Sequence, residues 1–313
     1  MGKKQNEKLE EITARLEQGI LELFDSERFK EYLRVMSKFH DYSLRNTILI
    51  AMQKPDATHV AGFRTWQTKF GRTVKKGEKG IRILAPIPRK ITQEKEKLDP
   101  ETKLPVIGED GEPVMEEKEI VIPRYTVVSV FDVSQTEGRE LPDIAVDELT
   151  GDVARYGDFF AALEKVSPYT IIFAAIPGAG HGCCIYMSKC IVVDEGMSEL
   201  QTLKTTIHEI AHAKLHDTNA EVQTEKQAQV DRQTREVQAE SVAYTVCQHY
   251  GLDTSEYSFG YVASWSSGRP LPELKSSLEV IRRTAAEIIN GIDRHFAGLR
   301  QTQETGEQLE IAA

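Results

Sequence analysis

The spacing of apolar positions divides the chain into a helical start, a strand-rich middle and a mostly helical second half. Apolar residues recur every three to four positions over residues 6–24, 27–39 and 43–52, which predicts three amphipathic helices, the last stopped by Lys54-Pro55-Asp56. Val60-Ala61-Gly62-Phe63, residues 80–85 and the alternating β-branched and aromatic stretch 125–133 predict strands. Lys75-Lys76-Gly77-Glu78-Lys79-Gly80 is a basic turn ahead of the second of these. Residues 91–119 are charged and turn-rich, which predicts a protruding hairpin or a flexible insertion. Residues 136–142, rich in Gly, Glu and Pro, have the composition of a linker.

A second set of elements follows. A helix is expected over residues 153–165, a strand over 171–174, and a hairpin whose arms, 184–187 and 190–193, meet at Ser188-Lys189. Leu200, Leu203, Ile207, Ile210, Ala211 and Leu215 mark a helix over 199–216, with Ser198 and Gln201 as a capping box. Another helical segment holds residues 235–244, and a polar loop from Asn219 through residues 221–231 joins the two. A long amphipathic helix spans 274–296, and residues after 300 are polar and expected to fray. The pattern predicts an α+β fold of two domains, residues 1–142 and 143–299, with a flexible tail at 300–313.

The helix over 199–216 carries His208-Glu209-Ile210-Ala211-His212, an H-E-x-x-H motif. Residues four apart share a helix face, so both imidazoles reach one metal ion. Glu209 is then placed to take a proton from a metal-bound water. The motif points to one zinc ion per chain, or another divalent metal, in a site of the metallopeptidase type. Two imidazoles and a water leave one protein ligand to find. His216 lies one turn past His212, without the Gly and distant His of a metzincin, and reads as a cation ending the helix favourably. Glu236 and Glu240 lie four apart on the next helix, beside small residues that let two helices approach. This pairing resembles that of gluzincins, in which one such Glu is the third ligand and a nearby acid holds a ligand His by its second nitrogen. The resemblance implies Glu236 as ligand and Glu240 behind it, with the exchanged roles as the alternative.

Composition adds a location and a partner. The 313 residues contain no apolar run long enough to span a membrane, and the charged amphipathic start does not read as a signal peptide. Cys183, Cys184, Cys190 and Cys247 form no C-x-x-C pair, and the first three read as packing residues, so a cytoplasmic location is expected. The net charge of −10 hides a basic block: residues 41–90 hold eleven Lys/Arg against three Asp/Glu, a local +8. Aromatics interleave with these cations, namely Tyr42, Phe63, Trp66 and Phe70 beside Arg45, Arg64, Lys69 and Arg72. Cations tracking a phosphate backbone and aromatic faces stacking on unpaired bases suit single-stranded DNA. Equally, the aromatics could form a core beneath solvated charges. No helix-turn-helix or zinc-finger spacing is present to read a duplex groove.

Several segments carry a family resemblance: Tyr42-Ser43-Leu44-Arg45-Asn46-Thr47-Ile48-Leu49-Ile50, Pro55-Asp56-Ala57-Thr58-His59-Val60-Ala61-Gly62-Phe63-Arg64-Thr65-Trp66, Val74-Lys75-Lys76-Gly77-Glu78-Lys79-Gly80-Ile81 and Val130-Phe131-Asp132-Val133-Ser134-Gln135-Thr136. Together with the H-E-x-x-H and Glu236/Glu240 pairing, they resemble ArdC-type antirestriction proteins. That resemblance implies an N-terminal domain that binds single-stranded DNA and a C-terminal zincin-like metallopeptidase domain. It implies His208, His212 and Glu236 as zinc ligands and Glu209 as catalytic acid/base. It also implies a mobile-element protein that helps incoming DNA evade restriction. The DNA face expected from the basic block comprises Arg45, Arg64, Trp66, Lys69, Arg72, Lys75, Lys76 and Lys79. The protein substrate is not specified. A non-catalytic DNA-protecting protein with a structural metal, and a peptidase that cleaves a regulator, are the alternative functions.

Overall fold

The structure is a computed structural model that describes residues 3–108, 111–141, 155–178, 180–217, 230–257 and 259–311. Three helices open the chain: α1 (Lys3–Glu22), α2 (Ser26–Lys38) and α3 (Leu44–Gln53). Asp25 and Ser43 cap the second and third, each side chain accepting from a first-turn backbone N–H. Next come β1 (Val60–Gly62) and α4 (Phe63–Phe70), the helix closed by Gly71 in the left-handed region at φ 62°. Phe63 therefore opens a helix and does not extend the strand expected there. β2 (Arg72–Val74), β3 (Ile81–Pro86), β4 (Arg89–Glu96), β5 (Met115–Ile122), β6 (Tyr125–Asp132) and β7 (Thr136–Gly138) complete this half.

β6 lies between β1 and β3, antiparallel to both. β4 and β5 pair only with each other, so the charged segment is a projecting hairpin. The expected linker is not one at its start. Residues 136–138 form β7, which pairs antiparallel with β2. Composition hid this because the partner strand lies over sixty residues upstream.

The second half contains α5 (Tyr156–Val166), β8 (Thr170–Ala174), β9 (Gly182–Ile185), β10 (Cys190–Asp194), α6 (Glu199–Leu215), α7 (Arg232–His249), α8 (Val262–Ser266) and α9 (Leu271–Ile311). Its sheet has the order β8-β10-β9, with β10 parallel to β8 and antiparallel to β9. Tyr186 and Met187, expected in the first arm of the hairpin, lie in the short 3-10 turn that follows β9. The loop expected over 219–231 falls mostly outside the described residues. α9 runs on to Ile311, where a frayed tail is expected. Among the described residues no helix is long and apolar enough to cross a membrane.

The two domains share a core. Ile12, Phe24, Phe29, Leu33 and Met36 belong to one cluster with Val242, Trp265, Ile281 and Ile289. Phe24 meets Trp265 edge-on at 5.6 Å and Phe29 meets Phe259 at 5.4 Å. A smaller cluster, including Val35, Phe39, Ile50, Val60, Ile81 and Val130, lies under the N-terminal sheet.

Candidate metal centre and basic face

α6 is buried on nearly every side, which fixes its rotation and therefore the direction of its polar residues. Leu203, Ile207, Ile210 and Ala211 have no exposed surface. Ser198 accepts from the Gln201 backbone at 3.2 Å, while the Gln201 amide turns to Thr205, so half of the expected capping box forms. α7 packs alongside. Its Ala239, Val242 and Ala243 are fully buried, and these small side chains let the helices approach.

The two helices bring three ligand-type side chains to one point. His208 Nε2 and His212 Nε2 face each other at 3.0 Å. Glu236 Oε2 lies 3.7 Å from the first and 3.6 Å from the second. These atoms lie within 4.8 Å of one another, which fits a single divalent ion with bonds of about 2.0–2.2 Å. Glu240 stands differently: its carboxylate is 3.9 Å from His208 Nδ1, the nitrogen turned away from the other two.

Electrostatics separate these groups further. Burial, reinforced by the neighbouring His212, lowers the His208 pKa to about 4, so its ring is neutral. The Glu236 carboxyl is lowered by hydrogen bonding to His212, against the opposing effect of burial. Burial raises both Glu209 and Glu240, and the charge on Glu236 adds to each rise, whereas His212 offsets part of it at Glu209.

His216 departs from expectation. It is the C-terminal cap of α6, but it is buried, and burial lowers its pKa to about 4. It is a neutral ring and not a helix-ending cation. Its Nδ1 lies 3.0 Å from His212 Nδ1 and its Nε2 lies 3.1 Å from Gln238 Oε1. Gln238 in turn donates to Ser277 Oγ at 3.2 Å. Sequence reading missed Gln238 and Ser277. Only the i+4 spacing of His216 from His212 offered a signal.

A cleft of about 310 Å³ opens onto this point, lined by His181, Gly182, Lys204, His208, Glu209 and Tyr257, among others. Gly182 is needed there: a Cβ would sit 2.6 Å from Thr205 Cγ2 and 3.0 Å from Glu209 Cγ. β9, which starts at Gly182, is an edge strand. The 190–193 strand is the central strand and has neighbours on both sides. The four cysteines are free thiols, with Cys183 exposed on β9 and not packed as expected.

The basic block resolves into three kinds of residue. Trp66, expected to contact DNA, is fully buried and donates its Nε1–H to Phe131 O at 2.8 Å; it is a core residue. Arg72 is half-buried, and its guanidinium is spent on Thr136 Oγ1, Thr136 O and Arg139 O, fastening β2 to β7. Lys75 is exposed but reaches Ser134 O at 2.9 Å. Arg64, Lys69, Lys76 and Lys79 are exposed, without a side-chain ion pair among the described residues. Arg45 is exposed and lies 5.8 Å over the ring of Tyr125, itself 38% exposed. Phe63, at 46% exposure, is the aromatic that faces out beside Arg64.

Comparison with known proteins agrees with this division. Residues 3–131 match the family described as the N-terminal domain of anti-restriction factor ArdC. Residues 170–250 match the M78 peptidase family described as the IrrE N-terminal-like domain. Residues 170–250 are therefore a zincin-like domain of that family. The chain joins it to a segment similar to the ArdC N-terminal domain. An uncharacterised Bacillus anthracis protein is 30% identical over 327 residues, covering 95% of this chain and 53% of the relative. The chain thus spans about half the length of that curated relative. Two crystal structures of the antirestriction ArdC protein from the R388 plasmid are similar over most of the chain. The metal-free one is 23% identical, with a TM-score of 0.39 over 81% of this chain and 84% of that one. The Mn(II)-bound one is 19% identical, with a TM-score of 0.40 over 82% and 84%.

Proposed function

We propose that this chain is a single-stranded-DNA-binding antirestriction protein whose second half is a zinc-dependent peptidase. One observation supports the peptidase reading above others: the convergence of His208, His212 and Glu236, with His208 also lining a cleft that holds Glu209. His208, His212 and Glu236 are the ligands, and Glu240 stands behind His208 on the Nδ1 side. Zinc bound there polarises a scissile carbonyl and lowers the pKa of its water. Glu209 accepts the proton of the attacking water on its carboxylate and delivers it to the leaving amine. β9 offers its outer edge to an extended peptide, with Gly182 keeping that edge close to Glu209.

On the other half, Arg45, Arg64, Lys69, Lys76 and Lys79 hold the phosphates, and Phe63 and Tyr125 offer stacking faces. Tighter binding of a fluorescent single strand than of its duplex is the expected result; equal affinity argues against stacking.

The peptidase reading is tested with Glu209→Gln. The variant retains stoichiometric zinc and loses hydrolysis of a protein target by about 100- to 10,000-fold. The targets are found by comparing proteins that disappear in cells expressing the two forms. Undiminished cleavage by the variant removes Glu209 from the chemistry; no cleavage by either form sinks the peptidase reading.

A further inference from the structure

His212 has two ring nitrogens, and only an unprotonated Nε2 binds a metal. A neutral imidazole carries one proton, so the ligating tautomer must hold it on Nδ1. In this structure His212 Nδ1 faces another imidazole nitrogen, His216 Nδ1, at 3.0 Å. One of the two must donate and the other accept. What lies behind His216 sets the direction. Its Nε2 meets the amide oxygen of Gln238 at 3.1 Å, an acceptor, so the His216 proton sits on Nε2 and its Nδ1 is left to accept. The Gln238 amide nitrogen in turn donates to Ser277 Oγ on α9. All three partners are buried. A mismatch between His212, His216 and Gln238 would leave a desolvated donor or acceptor unsatisfied.

We infer that His216 and Gln238 are positioning residues that hold His212 in its metal-binding tautomer, with Ser277 on the adjoining helix as the last partner of the relay. Neither residue touches the metal or the substrate. The inference rests on the proposed metal site and extends it, because it assigns control of metal affinity to groups outside the ligand set. It also separates the two ligand histidines. Glu240, at 3.9 Å from His208 Nδ1, is beyond hydrogen-bond range, whereas His212 Nδ1 lies 3.0 Å from His216 Nδ1.

The test is zinc affinity of the full chain, measured by competition with a chromophoric chelator, with thermal unfolding of each metal-free variant as the fold control. Asn places its side-chain oxygen where an imidazole carries Nδ1, whereas Gln reaches only to the position of Nε2. His216→Asn therefore keeps the acceptor for His212 and holds zinc nearly as tightly as the wild type. His216→Gln loses that acceptor and about 10–100-fold in affinity. Packing alone predicts the opposite order, since Gln is closer than Asn to His in volume. Gln238→Leu, close in size to Gln, removes the acceptor for His216 and lowers affinity in the same range, while Gln238→Glu preserves it. Equal affinities for His216→Asn and His216→Gln, or wild-type affinity in Gln238→Leu, overturn the relay alone. No zinc binding by the wild type overturns the metal site itself and the relay with it.

Discussion

The metal centre and the basic face are built on opposite plans. The centre is assembled from side chains on two buried helices, where i, i+4 spacing alone places His208 with His212 and Glu236 with Glu240. The basic face is spread over α3, α4 and the turn after β2, where short elements and non-local pairing decide which side chains look outward. One geometry follows from local periodicity; the other needs the tertiary fold. Two adjacent aromatics show the difference. Phe63 and Trp66 lie one helical turn apart on α4, yet one is half exposed and the other completely enclosed.

The contrast is sharpest at those two positions. Trp66→Ala empties a core site and breaks the bond to Phe131 O, so it lowers unfolding free energy by about 3–5 kcal/mol in denaturant titrations. Phe63→Ala leaves stability nearly unchanged and weakens single-strand binding by the worth of one stacked base, about 1–3 kcal/mol. If Trp66→Ala folds normally and loses DNA, the division between core and face is wrong.

Asp132 gives the next largest effect. It is buried at the end of β6 and accepts from Thr58 N at 2.7 Å, His59 N at 3.0 Å and Ser134 Oγ at 2.6 Å. Burial alone would raise its pKa, but hydrogen bonds from Ser134, His59 and Thr58 outweigh it and leave the carboxyl lowered. With a lowered folded pKa, its contribution is fully present above the unfolded value of about 4 and fades as pH falls through the folded one. Asp132→Asn turns an acceptor into a donor facing Ser134, costing about 1–3 kcal/mol at neutral pH. Acid titration of stability should then flatten below about pH 4 relative to the wild type. An unchanged acid limb would show that this carboxylate is not what holds the β1–β6 corner.

The smallest effect belongs to the exposed cations. Lys76→Glu with Lys79→Glu weakens single-strand binding and flattens its salt dependence by about 0.7 in log–log slope per lost contact. The metal affinity stays as it was. A change in zinc binding in that variant would mean that the two regions are coupled.

Legibility followed the same divide. The H-E-x-x-H helix and its partner were readable because helix geometry is local. His216 was not, because its burial and its contact with Gln238 depend on the packing of α7 and α9, which its neighbours in sequence do not signal. The 136–138 strand escaped for the same reason, since β2 supplies its pairing. Strand order was not readable either: the last strand in sequence, β10, is central, and β8 and β9 form the edges.

The shared core has a consequence for how such a chain can be inherited. α2 turns Phe29, Leu33 and Met36 into the same apolar interior that α7 and α9 fill from the other half. Separating the halves would expose these faces to water, at about 25 cal/mol for each Å² uncovered. The two parts are therefore not interchangeable cassettes. A recombination event that swapped one half for another would have to bring matching surfaces on the first three helices, so the two halves are constrained to travel, and to diverge, as a pair.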